Sequence, residues 1–79
     1  MTQKLDELWA RYMGSVTTPL EYRAEVVAQG KNIPQAIEHD LELMYLATGE
    51  MSPDEIKRVA GEIYQALEAE KAYRGALER

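Results

Sequence analysis

Met51-Ser52-Pro53-Asp54-Glu55-Ile56 is the stretch that decides the fold. Ser52 is suited to cap a helix, Pro53 to occupy its first turn, and Glu55 to complete a capping box. Met51 and Ile56 stand at the two positions of a hydrophobic staple across that start. Ile56, Val59, Ala60, Ile63 and Leu67 then fall on one face at helical spacing. The pattern predicts a helix over 53–77, about 37 Å long at 1.5 Å per residue. Past Leu67 the stripe weakens, because Glu70 and Lys71 fall where it should continue and apolar character drifts to Ala69, Tyr73, Ala76 and Leu77. The last third of this helix is therefore expected to find little cover within the chain. Glu62, Glu68 and Glu70 are expected to face solvent.

The same punctuation recurs upstream. Gly49 ends a segment that opens at Asn32-Ile33-Pro34 and carries Ile37, Leu41, Met44, Tyr45 and Thr48 as its main stripe. Leu43, Leu46 and Ala47 add a second apolar face, so this helix, over 34–48, is expected to be buried on more than one side, either as the central helix of the bundle or under a partner. It forms a hairpin with the long C-terminal helix. Thr18-Pro19-Leu20-Glu21 is a second capping box, opening a weaker helix over 19–29 that Gly30 terminates. Leu5, Leu8, Trp9, Tyr12 and Met13 make the stripe of a helix over 3–13, with Thr2 as its cap, Gly14 as its stop, and Glu7 and Arg11 paired across one turn. No stretch alternates polar with apolar residues over strand length. The expectation is an all-α domain of four helices occupying residues 1–79 as a single unit.

Composition narrows the function classes. A chain of 79 residues without cysteine has neither disulfides nor thiolate zinc sites to reinforce a core that buries about 60% of the unfolded surface. The first residues read as no signal peptide, and the longest apolar run, Leu43 to Ala47, falls far short of the roughly 20 residues a membrane span needs. A cytoplasmic protein without a membrane segment is expected. Fourteen acids against nine bases give a net charge of −5, and Lys57-Arg58 is the only adjacent basic pair. Phosphate backbones are gripped by clustered Lys and Arg, so nucleic acid is disfavoured as a partner.

The candidate chemistry is sparse. His39 is the single histidine, with Glu42 one turn on, and one His-x-x-Glu is at most half of a bundle metal site. No catalytic residue, metal or cofactor is assigned. Helices 34–48 and 53–67 resemble a helix-turn-helix in outline. The turn that would enter the major groove, however, carries Asp54 and Glu55, with Lys57 and Arg58 only behind them. The last 45 residues resemble the small helical-hairpin proteins that mark cyanobacterial phycobilisomes for degradation, through the Met51-Ser52 turn and through Tyr64 and Tyr73 on the second helix. Their tyrosine spacing differs, the first 30 residues have no counterpart, and the chain ends without a leucine-rich basic tail, so no function is carried across.

Tyr64 and Tyr73 lie off the main stripe of the long helix, and tyrosine suits interfaces because it offers contact area at small entropic cost. With Ala76, Leu77, Leu43 and Leu46 they form the candidate interface set. The reading is a small non-enzymatic protein-interaction module (regulator, inhibitor, adaptor or accessory subunit) binding a protein partner or itself. The alternatives are a helix-turn-helix DNA-binding regulator using the 34–67 hairpin, or a small helical enzyme subunit.

Overall fold

The capping residues act where the sequence places them. In the computed structural model, which describes residues 3–14 and 17–77, the Ser52 hydroxyl oxygen accepts from the Glu55 amide at 3.2 Å. The Thr18 hydroxyl likewise accepts from the Glu21 amide at 3.3 Å, and the Asn32 side chain from the Gln35 amide at 3.2 Å. Each bond satisfies one of the amides a helix start leaves without an intrahelical acceptor. The box carboxylates meet hydroxyls rather than the cap-residue amide of a reciprocal capping box: Glu55 receives the Ser52 hydroxyl and Glu21 the Thr17 hydroxyl, each at 3.4 Å. Met51 and Ile56 are both buried, as a staple requires.

Four helices follow, with no strand among the described residues. Helix α1 (Gln3–Leu8) continues into a π-helical turn, Trp9–Met13. Helix α2 is Pro19–Ala28. Helix α3 (Ile33–Leu41) continues into a second π turn, Glu42–Leu46, and α4 is Pro53–Leu77. The all-α class and the four segments are as expected, with α3 beginning one residue earlier and ending short of residue 48. Thr2, the expected cap of α1, lies outside the described residues. Gly30 and Gly49 stop α2 and α3 in the left-handed region, at φ 72° and 75°. After each, the next amide reaches back across the last turn, Lys31 to the Val26 carbonyl and Glu50 to that of Tyr45.

The core runs along α4. Ile56, Val59, Ala60, Ile63 and Leu67 are buried against Ile37 and Leu41 of α3 and Leu5 and Trp9 of the first helix. The α3–α4 pairing is the most extensive contact between helices, and α4 also packs against α1 and α2. That last fact corrects one expectation. Leu67 and Glu70 are both 0% exposed, so the stripe of α4 continues one turn further than its apolar residues do, and the unbroken exposed run at its end is Lys71 to Ala76. Glu70 occupies a core position, held by the Arg74 Nε at 3.0 Å. Nor do the neighbouring acids face solvent freely: Glu68 is half-buried and grips Arg23 of α2 through two bonds, at 2.8 and 3.4 Å, and Glu62 meets Arg58 at 3.4 Å.

The two π turns change which residues face inward. A π turn closes on the fifth residue rather than the fourth, so each residue rotates less about the axis. In α3 this brings Tyr45 round to the centre of the stripe, while Met44 stops short of it. Tyr45 is half-buried and Met44 is 39% exposed. In α1 the turn closes with the Gly14 amide on the Trp9 carbonyl at 3.0 Å, and Arg11 lies over the Tyr12 ring, 5.4 Å from its centre, away from the expected partner Glu7.

Candidate interaction surface

The second π turn is pinned from inside. The Tyr45 hydroxyl donates to the Tyr12 carbonyl at 2.6 Å, and the two rings meet edge to face with centroids 6.4 Å apart. The anchored ring holds the turn while its other side chains point away. Leu43 is 68% exposed, Leu46 41% and Met44 39%. The second apolar face that the sequence assigned to this helix exists, and among the described residues nothing covers it fully. Exposed apolar side chains grouped on one turn make it a candidate surface, and π turns are frequent at functional sites.

Beside that turn lies a recess of about 230 Å³, lined by Trp9, Met13, Thr17, Tyr22, Asp40, Leu43 and Met44. Its floor is rigid for identifiable reasons. The Trp9 indole N–H donates to the Thr17 carbonyl at 2.9 Å, and its ring meets Tyr22 edge to face at 5.2 Å. The Tyr22 hydroxyl in turn donates to Asp40 Oδ2 at 2.5 Å. Ionisation of Tyr22 is pushed above the ordinary phenol range, first by burial, then by the Asp40 hydrogen bond and by the negative charges of Asp40 and Glu25. The phenol therefore stays a donor, and the Trp9–Tyr22–Asp40 chain ties the first π turn to α2 and α3.

A second and larger groove, about 650 Å³, opens between α2 and α3. Most of the residues lining it are polar, with Glu25, Lys31, Gln35 and His39 among them. His39 is exposed there, and no group of three or more His, Asp or Glu is placed to hold a metal ion among the described residues. Asp54 and Glu55 stand exposed on the first turn of α4, the end a helix-turn-helix would present to DNA. No helix among the described residues is long and apolar enough to cross a membrane.

The six candidate interface residues do not form one patch. Leu43 and Leu46 sit on the second π turn, shortly before α4 begins. Tyr73 (56% exposed) and Ala76 (also exposed) lie at the far end of α4, about 30 Å along its axis from Pro53 by helical rise. Tyr64 is half-buried and packs against the core. Leu77 closes the helix, and its side chain falls outside what is described. Met44 belongs to the surface although its spacing assigned it to the core. Trp9 and Met13 line the recess although their stripe gave them no role beyond packing, and Tyr22 joins them from α2. No family model matches this chain, and neither a curated protein nor a solved structure matches it.

Proposed function

We propose that the protein is a small non-enzymatic interaction module, a regulator, inhibitor, adaptor or accessory subunit that works by docking onto another protein or a second copy of itself. One observation carries the reading: Leu43, Met44 and Leu46 project from a single anchored turn beside an apolar recess. Full burial of an exposed side chain of this size contributes about 1.5–3 kcal/mol, and a partner would gain the share of it that Leu43, Met44 and Leu46 still leave in water. The exposed end of α4, with Tyr73 and Ala76, is a separate and smaller contact surface. The cytoplasm is its proposed place of work, in keeping with a chain that has no cysteine.

Size exclusion with light scattering, combined with capture from native lysate, tests the reading. The wild-type chain should run as an oligomer or retain a partner, and Leu43→Glu/Leu46→Glu should abolish the association while leaving the circular dichroism spectrum intact. A strictly monomeric wild-type protein that retains nothing would refute it.

A further inference from the structure

Charge is unevenly shared along the chain, and the imbalance coincides with the apolar turn. Residues 32–56 contain Glu38, Asp40, Glu42, Glu50, Asp54 and Glu55, and no lysine or arginine. The remainder of the chain holds eight acids against nine bases. The net negative charge of the protein therefore belongs to α3, the second π turn and the start of α4. Glu42 begins that π turn, and Asp40 edges the recess beneath Leu43 and Met44. Glu50 is folded back onto the same turn, with its amide bonded to the Tyr45 carbonyl at 3.2 Å and to the Thr48 hydroxyl at 3.4 Å. Asp54 and Glu55 stand exposed at the start of α4, which packs against the π turn. Across the recess, helix α1 and its π turn contribute charges of both signs, Lys4 and Arg11 against Asp6 and Glu7, so they do not reverse the field.

Resting on the proposed docking reading, we infer that the second π turn and its recess receive a basic amphipathic helix of another protein. Such a helix places an aliphatic side chain in the recess and lysines or arginines against Glu42, Asp40 and Glu50. The Oδ1 of Asp40 has no partner among the described residues, and Tyr22 holds the other oxygen, so the carboxylate is oriented before a partner arrives. A second copy docked symmetrically on this turn would bring two sets of these six acids together, and like charges facing one another oppose association. Nucleic acid and anionic lipid are opposed by the same field. The recess volume of about 230 Å³ suits one or two aliphatic side chains rather than a free small molecule, which takes a pocket of roughly 300 Å³ or more.

The test is a displayed library of amphipathic helical peptides with a fixed Leu/Met stripe, in which each flanking position is either Lys or Glu. The full chain serves as bait. Lysine should be enriched at the flanking positions, and the selected peptides should weaken about tenfold against Glu42→Lys/Glu50→Lys and as salt is raised. Equal recovery of Lys and Glu, or a preference for Glu, would overturn the inference while leaving the docking reading standing. No binders at all would likewise overturn the inference, whereas peptides that bind Leu43→Glu/Leu46→Glu as well as wild type would remove this turn as the docking surface. A dimer that dissociates on Leu43→Glu/Leu46→Glu would show the occupant to be a second copy and would also overturn the inference. Circular dichroism of each variant separates lost binding from lost folding.

Discussion

The Tyr22 hydroxyl joins α2 to α3 through Asp40 at a point where its ring also meets Trp9. A hydrogen bond to a charged acceptor contributes about 1.5–3 kcal/mol, so Tyr22→Phe should lower stability by that order in urea denaturation at neutral pH. The bond also has a pH signature. The folded state holds this phenol protonated above its ordinary value of 10.0, whereas the unfolded chain releases the proton near that pH. Above it the unfolded state binds fewer protons than the native one, so stability falls as pH rises past about 10. A urea series from pH 8 to 11 should show a steeper decline in wild type than in Tyr22→Phe, and parallel curves would refute this account. At this scale the sequence misleads at Glu70 and Met44. A glutamate seventy residues into an acidic chain reads as solvated, and nothing local announces that it fills a core position beside Arg74. Met44 sits at proper α-helical spacing, and only a π turn, which leaves no simple trace in composition, moves it outward.

Helix boundaries were the most legible feature, because proline, the capping residues and the glycines act through their own backbone and immediate neighbours. Ser52→Ala should cost about 1 kcal/mol by removing the acceptor for the Glu55 amide. Gly49→Ala should cost about 1–2 kcal/mol, since the residue holds φ 75° while no atom crowds the added methyl group, leaving the backbone conformation as the penalty. Thermal melts followed by circular dichroism measure both, and a neutral Gly49→Ala would show that the α3 stop relaxes to another turn. The side-chain half of each capping box was less legible, since Glu21 and Glu55 each meet a neighbouring hydroxyl rather than the amide of the cap. Reciprocal bonding depends on rotamers that the spacing leaves open.

Across the whole molecule, α4 is the shared wall against which α1, α2 and α3 pack. The Arg23–Glu68 pair spans α2 and α4 with side chains 18% and 35% exposed. A double-mutant cycle with alanine at each position should give a coupling of about 0.5–1 kcal/mol that shrinks as salt is added. A coupling near zero would make α2 docking a matter of apolar contact alone. The candidate surface was partly legible at this scale, in that Leu43 and Leu46 were flagged by their surplus apolar face. Its neighbours Trp9, Met13 and Tyr22 were not, because the recess forms only when the first π turn, α2 and α3 meet. The packing of α1 on α4 also orders events in time. Leu5 and Leu67 share one cluster although about 60 residues separate them, so their meeting closes the longest loop in the core. The α3–α4 hairpin needs only a short loop and should form first, with α1 docking last. Amides of the hairpin core should then outlast those of α1 in hydrogen exchange, and Leu5→Ala should accelerate unfolding far more than it slows folding. Trp9, the chain's only tryptophan and a residue of the first π turn, provides the stopped-flow signal for that late arrival.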